Sequence, residues 1–195
     1  SKVGDSCDTS DSFLINITPV NDIPLTVSDT LTVDEAATVS IRDSGSPTLV
    51  GNDSDLDGDS LTSIVVTQPS NGTLSINSDG TFSYVHDGSE TTTDTFTYKS
   101  NDGTADGNTV TITIQINPIN DTPEGFEDFV IGLSGGTVTQ TTTGSDTLLA
   151  NDSDAEGDSL TVDTTPVVSP SHGTVTLNAD GTFQYTHNGT STATT

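Results

Sequence analysis

Apolar residues recur at every second position through much of the chain, the period of strands that bury one face. Leu61-Thr62-Ser63-Ile64-Val65-Val66-Thr67, Thr73-Leu74-Ser75-Ile76 and Thr109-Val110-Thr111-Ile112-Thr113-Ile114-Gln115-Ile116 alternate in this way and are rich in β-branched residues, which suit a pleated backbone. Phe13-Leu14-Ile15-Asn16-Ile17 and Asp94-Thr95-Phe96-Thr97-Tyr98 repeat the pattern. No window offers the 3.6-residue period of an amphipathic helix. Asp79-Gly80 and Asp180-Gly181 predict hairpins with type I′ turns, whose two central residues need positive φ. Those hairpins set Leu74 and Ile76 against Phe82 and Tyr84 on a shared core.

The strand pattern is duplicated. Asn52-Asp53-Ser54-Asp55-Leu56-Asp57-Gly58-Asp59-Ser60-Leu61-Thr62 returns 99 residues later as Asn151-Asp152-Ser153-Asp154-Ala155-Glu156-Gly157-Asp158-Ser159-Leu160-Thr161, and Pro19-Val20-Asn21-Asp22 returns at the same offset as Pro118-Ile119-Asn120-Asp121. Asn71 to Tyr84 matches His172 to Tyr185 at an offset of 101, so two residues are inserted between the motifs. A repeat of this length fits a β-sandwich of the immunoglobulin-like kind. Residues 1–22 read as the last strand and linker of a preceding repeat, 23–121 as a complete repeat, and 122–195 as a second repeat lacking its last two strands. A sandwich without those strands exposes pairing edges, and the segment 11–18 is the expected donor, from a neighbouring molecule, of a completing strand.

Composition narrows the function. There are 29 acidic residues against 3 Lys+Arg, a formal charge of -26, which repels phosphate backbones and anionic surfaces. Nucleic acid is excluded as a partner. No apolar run is long enough to insert directly into a membrane, and with no leader sequence and no initiator Met in it the chain reads as a piece of a longer protein, any export signal of which lies outside it. The lone Cys7 cannot close an intramolecular disulfide, so the fold holds without one.

Acidic side chains at alternate positions place four carboxylates, Asp53, Asp55, Asp57 and Asp59, in one short loop, and Asp152, Asp154, Glu156 and Asp158 in its repeat. Such a loop repels itself unless a cation sits within it. Hard oxygen ligands, with no paired Cys or His, favour calcium (Ca2+) over transition metals. Gly58 stands where the glycine of an EF-hand loop stands, but position 12 of that pattern is Ile64 in one repeat and Asp163 in the other. Remaining ligands must therefore come from backbone carbonyls or another segment. His86 and His187 follow equivalent Phe-x-Tyr-x stretches, and His172 replaces Asn71 at a turn, which assigns all three to structure. No Gly-x-Ser-x-Gly elbow accompanies a His and an acid, and every acid belongs to a turn or a repeated loop, so the chain reads as no enzyme. Tyr98 and Phe126 could stack on sugars, but their strand context favours packing.

Taken together, Asn21-Asp22-Ile23-Pro24, the acidic loop from Asn52 to Leu61, the hairpin from Asn71 to Tyr84 and Asp94-Thr95-Phe96-Thr97-Tyr98 resemble the tandem bacterial Ig-like, cadherin-like repeats of giant RTX-type surface adhesins. The resemblance implies an all-β fold of tandem Greek-key sandwiches, located extracellularly at the cell surface. It also implies calcium shared at the joints between neighbouring repeats: Asn21, Asp22, Asp34 and Glu35 at the first, Asn120, Asp121, Glu127 and Asp128 at the second. The role it implies is a calcium-stiffened extender of an adhesin. Two alternatives stand beside it: a filament subunit that exchanges strands with identical chains, and a calcium-dependent module that recognises carbohydrate or its own kind. Glu124 to Phe129 and Gly132 to Ser145 depart from the family pattern.

Overall fold

The alternating stretches form strands in a computed structural model that describes residues 15–190. These residues divide into two units between Asn117 and Pro118, and among them there is no α-helix. In the first unit β1 (Thr30–Asp34), β7 (Val110–Asn117), β6 (Thr93–Asn101) and β3 (Thr62–Thr67) form one sheet in the order β1-β7-β6-β3. The second sheet runs β2-β5-β4, from β2 (Thr38–Val39), β5 (Phe82–His86) and β4 (Gly72–Ile76). Every pairing is antiparallel except β1 with β7, which run parallel from Thr30↔Thr113 to Asp34↔Asn117.

The period of two does the sorting. Ile112, Ile114 and Ile116 of β7 face inward, as do Phe96 and Tyr98 of β6 and Leu31 and Val33 of β1, and they meet Leu74, Phe82 and Tyr84 of the other sheet in one core. Burying each such side chain is worth roughly 1.5–3 kcal/mol. Leu49, on a 3-10 turn spanning Leu49–Asn52, plugs one end of it. Polar Thr111 and Gln115 point outward from β7.

The expected hairpins are present, but not with the expected turn. Gly80 has φ +83°, whereas Asp79 is not in the left-handed region: Ala36 is the only non-glycine residue there among the described residues. Gly80 N–H donates to Asn77 O at 2.9 Å, and Asn77 N–H to Thr81 O at 2.8 Å. The connection is a tight turn with glycine at its end. Asp79 is held there by its side chain, whose Oδ1 accepts from Thr81 N–H at 3.0 Å, an Asx contact that competes with positive φ. Asn178 to Thr182 repeats the arrangement.

The second unit carries a three-stranded sheet, β8-β10-β9, from β8 (Thr137–Val138), β10 (Phe183–His187) and β9 (Gly173–Leu177), with a 3-10 turn at Leu148–Ala150. Val130, Leu148, Val175, Leu177, Phe183 and Tyr185 line an open apolar cleft. Their counterparts in the first unit, Leu31, Leu49, Leu74, Ile76, Phe82 and Tyr84, are core residues or packed against the core, under Phe96, Tyr98, Ile112 and Ile114. Of the segment 11–18, residues 11–14 lie outside the described residues. Residues 15–18 pair with no strand, and Ile15 and Ile17 are 70% and 81% exposed.

Candidate metal centre

Alternating acids in a loop need a backbone that gathers them, and the first unit supplies one. Leu25 and Ser54 exchange backbone hydrogen bonds of 2.8 and 3.1 Å, which clamps the acidic loop to the segment that enters the unit. Beyond this clamp the chain curls around Asp55, whose Oδ1 accepts the N–H groups of Asp57 (2.9 Å) and Asp59 (3.3 Å). Gly58 turns the corner with φ +80°, a conformation costly for residues with a Cβ. One carboxylate oxygen from each of Asp55, Asp57 and Asp59 thereby falls within 4.8 Å of the others. At that separation each pair repels by about 1 kcal/mol in a water-like dielectric and several times more where protein displaces water. Asp57 Oδ2 accepts Asp22 N–H at 2.7 Å. Asp55 Oδ2 is buried with no hydrogen-bond partner.

The second unit repeats the frame. Glu124 and Ser153 form the clamp at 2.8 and 3.0 Å, Asp154 Oδ1 accepts Asp158 N–H at 3.0 Å, and Gly157 has φ +77°. Glu156 Oε1 accepts Asp121 N–H at 2.7 Å, as Asp57 does from Asp22, and Glu156 Oε2 is buried without a partner. Asp154, Glu156 and Asp158 do not close into a cluster as tight as that of the first loop; the longer Glu156 spends its extra methylene reaching the linker.

Asp53 stands apart from this group. Its Oδ1 accepts Val27 N–H at 2.9 Å, and both its oxygens accept the hydroxyl of the fully buried Tyr98, at 3.2 and 3.1 Å. Burial pushes its carboxyl above the ordinary range despite those bonds, and burial together with the neighbouring charges of Asp53 and Asp29 pushes the Tyr98 hydroxyl up. Asp152 is placed in the same way, accepting Phe126 N–H at 2.8 Å. Behind Asp53 lies Arg42, only 4% exposed, which donates through Nη1 to Asp29 and to Asn52. Burial raises the Asp29 carboxyl, and Arg42 offsets part of that rise. A Cβ on Gly51 would stand 2.8 Å from Arg42 Nη2, so the guanidinium occupies space that only glycine leaves open. The second repeat has Thr141 for Arg42 and Ala150 for Gly51. There Asp128 is raised by burial and by the charge of Asp152, with no guanidinium to counter either.

The residues assigned to the first joint fall into two places. Asn21 donates to Asp22 O (2.8 Å) and to Asp102 Oδ2 (2.9 Å), beside the acidic loop. Asp34 accepts from the Asn117 side chain at 2.9 Å, and the buried Glu35 donates its N–H to Asn117 O, also at 2.9 Å. Asn117 ends β7, whereas Asp102 follows the end of β6 that pairs with the start of β7. The two pairs therefore lie at opposite ends of the sheet, about 25 Å apart for eight residues of strand. Asn120 donates to Asp121 O at 2.7 Å, as Asn21 does to Asp22. Glu127 offers its carbonyl to the Asn151 side chain.

Asp102 and Arg42 were not singled out from sequence. The run Asn101-Asp102-Gly103, with Asp106 three residues on, carries the composition of an acidic turn, and Arg42 is one of only three basic residues in the chain. Either signal could have flagged them. The histidines hold turns: His86 Nδ1 accepts from Ala36 and Gly88 N–H at 3.2 and 3.3 Å, and His187 Nδ1 from Gly135 and Gly189 N–H, both at 3.1 Å.

A model of the bacterial cadherin-like domain matches residues 21–118, and one of the bacterial Ig domain matches residues 120–195. No curated protein sequence matches the chain. Among solved structures, human CDH23 EC21-23 is similar at 18% identity and a TM-score of 0.49, over 91% of this chain and 58% of that one. The protocadherin GammaB4 extracellular domain gives 15% and 0.45, over 90% and 30%. The endo-fucoidan hydrolase MfFcnA4 of glycoside hydrolase family 107 gives 18% and 0.37, over 88% of this chain and 25% of the hydrolase. The chain thus spans between a quarter and three fifths of the length of these structures.

Proposed function

Because this chain belongs to the bacterial cadherin-like domain family, we propose that it serves as a run of calcium-stiffened extender repeats in an extracellular bacterial adhesin, without catalytic activity of its own. The observation that carries the reading is the gathering of Asp55, Asp57 and Asp59 around an unpartnered buried oxygen, in a loop whose Asp57 also holds the linker at Asp22 N–H. A hard dication bound by these oxygens would replace mutual repulsion with coordination. Since Asp57 touches the linker, the ion would fix the chain where it enters the repeat. Asp154, Glu156 and Asp158, with Asp121, provide the corresponding set in the second unit. Binding to the folded state alone adds about 2.7 kcal/mol of stability at a hundredfold excess over Kd.

Isothermal titration of calcium into the chain, with melting temperature followed in parallel, tests this. Saturable binding that weakens in Asp55→Asn/Asp57→Asn is expected, with a higher Tm in calcium than in chelator. An unchanged Tm between chelator and millimolar calcium would sink it.

A further inference from the structure

The hairpin end after β10 brings a base and two hydrogen-bond donors to an Asn-Gly pair. Asn188 and Gly189 are exposed to water. Gly189 N–H donates to His187 Nδ1 at 3.1 Å, and Gly135 N–H donates to the same nitrogen at 3.1 Å. Two donors on Nδ1 place the ring proton on Nε2 and leave Nδ1 unprotonated. On the other side of the pair, Asn188 Oδ1 accepts both Thr190 N–H, at 3.0 Å, and the Thr190 hydroxyl, at 2.5 Å.

We propose that Asn188 is a modification site, at which the fold promotes conversion of the side-chain amide to aspartate or isoaspartate. The Gly189 nitrogen attacks Asn188 Cγ, and its proton passes to His187 Nδ1, the base already bonded to it. Negative charge gathers on Oδ1, where the two Thr190 donors point. The C–N bond to Nδ2 then breaks, and the protonated imidazole returns its proton to the departing nitrogen, which leaves as ammonia. Water opens the resulting succinimide at either carbonyl. No oxidant, reductant or cofactor is needed.

Two contrasts within the chain support the assignment. The first repeat has Asp87-Gly88 at the equivalent place, where Asp87 Oδ1 accepts from Ser89 N–H (3.0 Å) and its hydroxyl (2.7 Å), so the aspartate product fits a turn the fold already makes. The other Asn-Gly pair, Asn71-Gly72, lies at the start of β4, with Gly72 paired to His86 in the sheet and a Cβ on Gly72 reaching within 2.5 Å of Val85 O. Its nitrogen has no freedom to attack.

The test is a time course at neutral pH on the full chain, folded and urea-unfolded, with peptide mapping by mass spectrometry and isoaspartate assay at both pairs. Asn188 is expected to convert about a hundredfold faster folded than unfolded, the low side of general-base assistance, while Asn71 converts more slowly folded than unfolded. Thr190→Val and His187→Gln should each remove the folded-state advantage and leave the unfolded rate alone. Conversion of Asn188 in the folded chain at or below its unfolded rate overturns the proposal, as does an advantage that survives both substitutions.

Discussion

Replacing Arg42 by Met removes a buried cation while keeping most of its volume, and the cost can be worked from its surroundings. Asp29, whose side chain is 6% exposed, would keep one donor, the Asn52 amide at 3.1 Å, and its Oδ2 already has none. If Asp29 stays charged, breaking such a pair costs about 3–5 kcal/mol. If instead it takes up a proton, the cost at pH 7 is that of protonating a carboxyl with an unfolded pKa near 3.9, roughly 4 kcal/mol. The cheaper route sets a ceiling, so the first unit should lose about 3–4 kcal/mol at pH 7. At pH 5 the proton route costs only about 1.5 kcal/mol, and the loss should shrink to that value. Urea denaturation at both pH values, read by near-UV circular dichroism of the core tyrosines and referenced to the unsubstituted chain at each pH, measures both numbers. Arg42→Met combined with Asp29→Asn should recover most of the loss, because no unpaired charge remains. A loss below about 1 kcal/mol at pH 7, or one equal at the two pH values, would refute the view of Arg42 as the internal counter-ion of this unit.

Other expectations follow from the same geometry. Gly51→Ala should cost the first unit about 1–3 kcal/mol by urea denaturation, whereas Ala150→Gly together with Thr141→Arg should stabilise the second by about 1 kcal/mol or more and exceed the sum of the single changes. Asp94 accepts N–H bonds from Ser70, Asn71 and Thr95 and the hydroxyl of Tyr84; burial opposes its charge, but the bonds prevail and hold its carboxyl below the ordinary range. With a depressed folded pKa its contribution is complete above the unfolded value and lost as pH falls through the folded one. The chain should therefore be more stable than Asp94→Asn at neutral pH, and the difference should begin to shrink as pH falls below about 4, the unfolded value, and disappear only once pH has passed the lower folded one. Calcium should raise the first unfolding transition in wild type and leave it nearly unmoved in Asp55→Asn/Asp57→Asn, as differential scanning calorimetry would report.

Strands were the most legible part of the fold, since the sorting of Ile112, Ile114 and Ile116 inward from Thr111 and Gln115 is written in their alternation. Partnerships were less so. The parallel pairing of β1 with β7 joins residues more than eighty positions apart, and a period of two does not say which strand lies alongside. At the acidic loop, spacing marked four carboxylates as equals. The fold separates them because Tyr98, 45 positions from Asp53, puts a buried hydroxyl beside it and leaves Asp55, Asp57 and Asp59 to gather around the turn at Gly58. Type I′ turns were expected because Asp-Gly suits them; the Asp79 side chain takes Thr81 N–H instead and no positive φ is needed before Gly80. Arg42 and Thr141 look like an ordinary divergence between repeats until the burial of Asp29 is seen.

The direction of β1 relative to β7 governs how the first unit bears tension. The chain enters β1 at Thr30, at one end of the sheet, and leaves β7 at Asn117, at the other, with the two strands side by side and parallel. A pull on those two points slides one strand along its neighbour and loads the hydrogen bonds from Thr30↔Thr113 to Asp34↔Asn117 in shear, all at once. Antiparallel neighbours pulled from adjacent ends peel apart one bond after another. Rupture under force depends on the barrier to unfolding and not on the equilibrium free energy, so a unit of quite ordinary thermodynamic stability can be a strong link in a stretched chain.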